Sequence, residues 1–411
     1  SLISSAISEK TSNIQTQDRN MIQSDYVLPF GKANQFEFGY KGDFNKLLTE
    51  FKVGGIDLVS GAYTPNLRYT NTLDYSESVN ALYTQFGTKV NKFSFLFGLR
   101  WEDSKIEINQ LVTNEFNTQK YNNLFPSAFI TYEISEGNSI SFSYSKRISR
   151  PRGRQINPFS SYASNINIFR GDPNLKPAFT DAFDFGYLKK WDKLTLSTST
   201  YISKTTDSFQ FIRRESGDFV DLIPVILSTP INLNTELRYG FEFTLNYSPF
   251  KWWKLNSNFN FYKFDLKGND VYTNSQNVVV TTNFDNSATS WFTRLTSKIT
   301  LPYKIDWQTN VTYNGPEKYA QGNTLAVVGA NLGFSKDIMK DKATIALNVQ
   351  DVFNSRKRMY NNNIPNVLNS YVEMQWAMRQ ITLSFTYRFN KKKEERTKPA
   401  RGSENGDDFQ G

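Results

Sequence analysis

The chain alternates apolar and polar side chains one residue at a time, in segment after segment. One such segment places on a single face of an extended strand the residues Ala343, Ile345, Leu347 and Val349. The last segment does the same with Ile381, Leu383, Phe385, Tyr387 and Phe389. A period of two gives a strand one face for an apolar medium and one for a polar medium.

This pattern runs through the whole chain, and no helical apolar stripe interrupts it. It therefore predicts an all-β fold, a transmembrane antiparallel β-barrel that is apolar outside and wet inside. The location that follows is a bacterial outer membrane. A soluble β-sandwich or propeller is the alternative that the alternation leaves open.

Composition agrees with a barrel better than with a helical membrane protein. Only 38% of the 411 residues are hydrophobic and the mean hydropathy is −0.53, as expected where half of every strand is polar. No apolar run reaches the 18 residues that a membrane helix needs. Aromatic residues make up 15% of the chain, which suits a lipid-facing surface with interfacial girdles.

The chain has no Cys and no His, so the usual transition-metal ligands and the commonest general base are absent. We therefore expect no enzyme activity, no metal site and no cofactor. The net charge of +9 comes from residues scattered over turns, loops and inward positions, without a compact basic module. The sequence thus predicts no nucleic-acid partner.

Connections between the segments alternate between short and long, as expected for turns on one side of a barrel and loops on the other. Short turns are predicted near residues 31–32, 90–92, 135–138, 191–192, 249–251, 302–304 and 337–342. Longer polar segments are predicted around 50–66, 109–118, 150–178, 214–232, 266–286, 315–323 and 356–369. This spacing gives about fifteen strands.

Bacterial single-chain barrels usually have an even number of strands, so we expect further strands on the N-terminal side. The first residues, from Ser1 to Ser5, lack the features of a signal peptide. An outer-membrane protein carries one when it is made, so the chain is expected to be mature, trimmed or part of a longer polypeptide. Residues 1–390 are assigned to the barrel, and the charged segment 391–411 to a disordered periplasmic tail.

The alternation also assigns side chains to the two faces. Outward residues include Phe93, Phe95, Phe97, Leu99 and Trp101. Arg100 and Glu242 would be costly in lipid, so they are expected to face the lumen. An interfacial girdle is predicted beside the short turns, formed by Trp191, Trp252, Trp253, Tyr303 and Trp307. Ordinary turn packing is the alternative for these five aromatic residues.

The most specific motif is Ser145-Lys-Arg-Ile-Ser-Arg-Pro151, followed by Ile156-Asn-Pro-Phe159 and Gly171-Asp-Pro-Asn-Leu-Lys-Pro177. It resembles the central barrel signature of TonB-dependent outer-membrane receptors, and most closely the branch common in Bacteroidetes. Asp172 and Ala178 stand where that family more often has Asn and Glu. Further similar segments are Tyr239 to Phe243, Tyr313 to Pro316 and Asn348 to Asn354.

The resemblance implies a barrel of 22 strands, a plug domain and a plug-borne box that engages TonB. It also implies import of a large or scarce nutrient, such as a glycan, peptide or metal chelate, through outer loops. A non-transporting structural barrel in a multi-protein outer-membrane assembly is the alternative. Expected partners are outer-membrane lipids and lipopolysaccharide, with TonB, a surface lipoprotein or other envelope proteins as further possible partners.

Candidate ligand contacts are the basic and aromatic residues near the 150–178 loop: Arg147, Arg150, Arg152, Arg154, Phe159, Tyr162 and Arg170. Arginine suits anionic ligands because its guanidinium forms bidentate hydrogen bonds. Fixation of the loop against the lumen is an equally good interpretation of the same residues. Carboxylates Glu215, Asp218 and Asp221 match no defined calcium loop and are interpreted as solvated.

The last strand resembles the C-terminal recognition strand of the barrel-assembly machinery. Its alternating aromatic residues, Phe385, Tyr387 and Phe389, are the candidate assembly signal. In many such proteins the aromatic residue is terminal, whereas here residues 390–411 follow.

Overall fold

A single antiparallel wall of fifteen long strands dominates the computed structural model, which describes residues 7–67, 69–159, 161–164, 166–273, 278–364 and 368–389. The principal sheet has eighteen strands, and three of these (β3, β8 and β9) are short strands in outer loops. The strand number expected from turn spacing is therefore confirmed for the described residues.

In the first half of the chain the strands are β1 (Ile7–Phe30), β2 (Asn34–Asp57), β3 (Tyr63–Pro65), β4 (Asn71–Val90), β5 (Phe93–Gln110), β6 (Glu115–Ser135), β7 (Asn138–Ser149), β8 (Ser161–Ser164), β9 (Asn167–Phe169) and β10 (Ala178–Lys190). One short helix, α1 (Gly153–Ile156), lies between β7 and β8.

In the second half the strands are β11 (Leu194–Val220), β12 (Ile223–Phe250), β13 (Trp253–Lys267), β14 (Asn269–Thr273), β15 (Val279–Asn283), β16 (Asn286–Leu301), β17 (Ile305–Asn314), β18 (Glu317–Tyr319), β19 (Gly322–Thr324), β20 (Val327–Ile338), β21 (Ala343–Gln350), β22 (Arg358–Ile364), β23 (Leu368–Met374) and β24 (Gln380–Tyr387). A 3₁₀ turn spans Pro302–Lys304 between β16 and β17.

All seven predicted short turns join neighbouring wall strands. The predicted loops at 109–118 and 214–232 are wrong in extent. Strands β5 and β6 continue through the first, with only residues 111–114 between them, and β11 and β12 continue through the second to a turn at Asp221 and Leu222. Charged, Asn, Gly and Pro residues suggested loops there, because a strand that extends beyond the membrane no longer needs an apolar outer face.

The register of the wall places the apolar residues of neighbouring strands on one face. Phe97 of β5 lies opposite Phe86 of β4 and Ala128 of β6. On β5 this outer face is apolar from Phe93 to Trp101 and becomes charged from Asp103 onward. At about 3.4 Å per residue and a tilt near 40°, the apolar stretch is roughly 20 Å tall. That height is close to the apolar band of an outer-membrane barrel.

The inner face of the wall carries a buried apolar cluster where an outer loop covers it. Ile106 and Ile108 of β5 are fully buried there with Leu73 and Tyr75 of β4. Two loop residues that also belong to this cluster, Ile156 and Leu175, cover them. This buried cluster therefore sits between the outer half of the wall and the long loop that follows β7.

A second, smaller sheet stands among the outer loops of the C-terminal half. Strands β18, β19, β22 and β23 pair in that order, so the loop between β17 and β20 joins the loop between β21 and β24. The Gln321 side chain donates to the carbonyl oxygen of Arg213 in β11 at 2.7 Å. This sheet is thereby attached to the long β11–β12 hairpin.

The first and last wall strands each have one neighbour in the described part of the chain. Strand β1 pairs only with β2, and β24 pairs only with β21. No helix among the described residues is long and apolar enough to cross a membrane.

Candidate functional site

The loop from Arg150 to Pro177 folds back onto the inner face and is held by its own backbone. Gly171 and Asp172 donate backbone hydrogen bonds to the carbonyl oxygens of Asn157 (2.9 Å) and Gln155 (2.8 Å). The Asn232 side chain of β12 makes two hydrogen bonds with the backbone of Lys176. Its oxygen accepts one from the Lys176 N–H at 2.8 Å, and its nitrogen donates one to the Lys176 carbonyl at 3.0 Å. The sequence motif is thus one packed unit with fixed ends.

Gly171 sits where no side chain fits. A Cβ there would lie 2.5 Å from the Gln155 carbonyl oxygen and 2.6 Å from the Asn157 nitrogen. Both contacts are with backbone atoms, which cannot swing aside as a flexible side chain can. This close approach explains why the motif has glycine at this position.

A buried carboxylate joins the loop to the wall. Glu102 of β5 is 7% exposed and accepts hydrogen bonds from the guanidinium groups of Arg100 and Arg150. Arg150 also donates to the Ser104 hydroxyl at 2.8 Å. Both cations compensate the cost of burying the Glu102 carboxylate, so the three side chains form one ion-pair cluster on the inner wall.

The cluster borders a cavity of about 730 Å³ between the loop and strands β1, β2, β4 and β5. Its charged lining residues are Arg19, Lys41, Asp43, Glu77, Arg100, Glu102, Arg150 and Arg152. The Arg19 guanidinium and the Asp43 carboxylate form an ion pair at 2.6 Å across β1 and β2. The surface is polar, carries both signs of charge and is wide enough for a protein segment or a solute.

The structure brings together some of the sequence-predicted contacts and separates others. Arg150 and Arg152 share the cavity just described, while Phe159 and Arg170 line a smaller one of about 180 Å³. The Arg154 guanidinium lies 4.7 Å from the Phe169 ring centroid.

The remaining two candidates are Arg147 and Tyr162. Arg147 is exposed on β7, in register with Thr180. Tyr162 belongs to β8, and its side chain lies outside the described part of the structure. The six candidates whose side chains the structure describes therefore do not form one site.

Sequence reasoning missed the acidic side of this arrangement. Glu102 lies 48 residues before Arg150, and no local pattern connects the two. The available signal was a mid-strand carboxylate at an inward position next to Arg100, which required a cationic partner. The identity of that partner depends on how the loop folds.

Among the described residues, no group of three or more acidic, His or Cys side chains is placed to hold a metal ion. Glu215 and Asp218 lie near the end of β11, and Asp221 is in the following turn with φ of 49°. These carboxylates remain interpreted as solvated groups.

The five predicted girdle residues lie at or next to the short turns. Trp191, Trp252 and Tyr303 are exposed by 46, 50 and 83%, respectively. Trp252 stacks on Phe250 with centroids 5.1 Å apart, and Trp307 stacks on Phe334 at 6.0 Å. The Trp253 indole donates to the Ser297 hydroxyl at 3.0 Å. Their role as an interfacial girdle remains a prediction.

In the last strand, Phe385, Tyr387 and Phe389 are 59, 39 and 86% exposed. Phe385 lies opposite Ile345 of β21, and the rings of Tyr387 and Phe389 meet edge to face at 4.8 Å. The alternating aromatic pattern is therefore an exposed outer face, and its role as an assembly signal remains a prediction.

Together, the apolar outer face, the polar inner face and the loop-filled outer end define an outer-membrane β-barrel protein. The family comparison agrees: residues 3–387 match the outer membrane protein beta-barrel family, so the chain belongs to that family. No curated protein sequence matches the chain.

Solved structures with the same fold are outer-membrane transporters and receptors. Ferric citrate transporter FecA in its unliganded form is similar with 11% identity and a TM-score of 0.63, over 93% of this chain and 56% of FecA. The ferric yersiniabactin uptake receptor FyuA from Yersinia pestis has 13% identity and a TM-score of 0.63, over 92% of this chain and 55% of FyuA. The siderophore receptor PiuA from Acinetobacter baumannii has 14% identity and a TM-score of 0.63, over 91% of this chain and 56% of PiuA. The chain spans about half the length of these proteins.

Proposed function

We propose that the chain forms the larger part of the barrel wall of a TonB-dependent importer for a large or scarce nutrient. The observation that carries this proposal is a wall with an apolar outer face and a charged inner face, whose outer end is partly filled by folded loops. FecA, FyuA and PiuA share the fold and bear the names of a ferric citrate transporter and siderophore receptors.

The proposed barrel needs more strands than the described residues contain. In a bilayer the free edges of β1 and β24 would leave backbone N–H and C=O groups without partners. Outer-membrane transporters of this kind close at about 22 strands. We propose that about seven further strands join these two edges and that a plug contacts the charged cavity beside Glu102.

A gene-deletion experiment under nutrient limitation tests the proposed function. Cells that lack the full-length protein are grown in competition with the parent under iron, carbon and nitrogen limitation, with functional and inactivated TonB. We expect a growth defect in at least one medium, and no additional defect from the deletion when TonB is inactive. Equal fitness in all media would contradict import.

The same cells separate import from the structural alternative. A structural barrel would lower the abundance of other outer-membrane proteins when it is deleted, regardless of the nutrient and of TonB. Quantitative proteomics of the isolated outer membrane measures this loss. An unchanged membrane proteome together with a TonB-dependent growth defect supports the importer.

A further inference from the structure

A cavity of about 790 Å³ opens on the inner face beneath the outer loops of the C-terminal half. Its wall side includes Arg238, Tyr262 and Phe292. The loop between β21 and β24 contributes Arg356, Arg358 and Trp376. Basic and aromatic side chains thus meet in one concave space, at a distance in sequence from the 150–177 loop.

The positive charge of this cavity is only partly compensated. Lys357, which also lines it, is paired with Glu373 at 2.6 Å, and Arg238 lies 3.4 Å from Glu236. The one carboxylate in the lining, Glu317, accepts a hydrogen bond from the Tyr262 hydroxyl. Arg356 and Arg358 are exposed, and neither makes an ion pair within 4 Å with another described residue, although Arg356 is near enough to the Asp351 carboxylate to lower its pKa. Two guanidinium groups are therefore available to an anion.

The aromatic side of the cavity is also available. Trp376 is 83% exposed, although its segment is fixed. The Asn354 side-chain oxygen accepts hydrogen bonds from the Gln375 side chain at 2.9 Å and from the Arg379 N–H at 3.1 Å. A large aromatic side chain exposed in this way offers a flat face for stacking against a ring.

We propose that this cavity binds a ring-containing solute with two or more carboxylate, phosphate or sulfonate groups. Arg356 and Arg358 hold the anionic groups through charge-assisted hydrogen bonds, and Trp376 stacks on the ring. Arg238 is already placed over the Tyr262 ring, 4.9 Å from its centroid, and adds positive potential from the wall side. The inference deepens the proposed function, since it names the substrate class for import.

The probe for this site is pyrene-1,3,6,8-tetrasulfonate, a fluorescent tetra-anion with a flat ring system. Its fluorescence anisotropy is titrated with the full-length protein in neutral detergent. Wild-type protein is expected to bind the probe saturably at one site. R356Q/R358Q should weaken binding at least tenfold, because each lost charged hydrogen bond is a large fraction of the affinity. W376A should weaken binding about three- to tenfold.

A matched charge control is K340Q/K342Q. It removes the same charge at the short turn between β20 and β21, at the end of the strands that is far from the outer loops. This variant should bind the probe as the wild type does. Heat-modifiable mobility on gels shows that each variant is a folded barrel. Equal weakening by both double variants, or wild-type binding by a folded R356Q/R358Q, would overturn the proposal.

Binding and import fail separately in these experiments. If probe binding depends on Arg356, Arg358 and Trp376 but the deletion causes no TonB-dependent growth defect, the proposed binding site is supported and the proposed import is contradicted. If the deletion causes a TonB-dependent growth defect but the three substitutions leave probe binding unchanged, the proposed import is supported and the proposed binding site is contradicted.

Discussion

Glu102 on strand β5 and Arg150 at the start of the long loop form an ion pair on the inner wall. Their side chains are only 9 and 19% exposed, so water screens the attraction weakly. Arg100 completes the cluster from the same strand. Because the loop enters the lumen at Arg150, this contact fixes where the loop begins.

Replacing Arg150 with Gln should loosen the loop. Glu102 would keep one of its two cations, and the lost charged hydrogen bond is worth about 1.5–3 kcal/mol of local opening free energy. Hydrogen exchange of peptides within 150–177 should then accelerate about 10- to 100-fold. The matched control is Arg147→Gln, because Arg147 is exposed on β7. Equal exchange in both variants would contradict the role assigned to the ion pair.

Gly171→Ala should destabilise the same loop for a different reason. The added Cβ would press on backbone atoms of Gln155 and Asn157 at 2.5–2.7 Å, an overpacking that costs about 1–3 kcal/mol. The control is Gly329→Ala on β20, where a Cβ meets nothing within 4 Å. The hydrogen-exchange rate of the loop should rise only in the Gly171 variant. An unchanged rate in that variant would contradict the prediction, because it would mean that the backbone moves to accept the added Cβ at no cost.

The outer β22–β23 hairpin should be sensitive to acid. The hydrogen bond from Lys357 lowers the pKa of Glu373 below its usual 4.5, and the same bond raises the pKa of Lys357 above 10.5. Since the folded-state pKa of Glu373 is the lower one, its stabilisation is present above pH 4.5 and is lost as the pH falls further.

Hydrogen exchange of residues 358–374, corrected for intrinsic rates, measures this loss between pH 6 and pH 3. The protection should fall below pH 4.5 in the wild type and should vary much less with pH in Glu373→Gln. Identical pH profiles for the two proteins would exclude the Lys357–Glu373 pair as the cause.

The aromatic residues of the last strand should matter for assembly. Replacing Tyr387 and Phe389 with Ser removes two exposed rings that contact each other, and the amount of assembled barrel in the membrane should fall. The amount of assembled barrel is measured in isolated membranes from the abundance of the protein and from its heat-modifiable mobility on gels. A double variant with Phe116→Ser and Phe219→Ser, which lie at outer hairpins and are 63 and 58% exposed, is the control. Equal abundance of both variants would leave the assembly signal without support.

The sequence was sufficient to predict the wall but not what covers its inner face. Alternation and turn spacing predicted fifteen strands, because both depend on local backbone geometry. The partner of Glu102 and the burial of Ile106 and Ile108 depend on a loop that begins more than 40 residues later. Local patterns carry no information about that contact.

The limits of the wall strands show a second reason for error. Residues 214–232 include four charged residues, a glycine and two prolines, as loops often do, yet β11 and β12 pair through most of them up to Val220 and Ile223. Val225 and Leu227 of this hairpin are buried with Ile168 of the long loop, so apolar side chains there pack against protein and not against lipid, while the backbone pairing continues. Composition alone cannot separate such a hairpin from a loop.

The most direct test of the account is the solvent on each side of strand β5. The chain has no Cys, so once any Cys elsewhere in the full-length protein is replaced with Ser, variants with one cysteine at positions 94–100 other than Gly98 can each carry one spin label. In full-length protein reconstituted into bilayers, the account predicts high oxygen accessibility at positions 95, 97 and 99. It predicts high accessibility to a water-soluble nickel chelate at 94, 96 and 100. Equal accessibility at odd and even positions, or the reverse pattern, would contradict a wall with lipid outside and water inside.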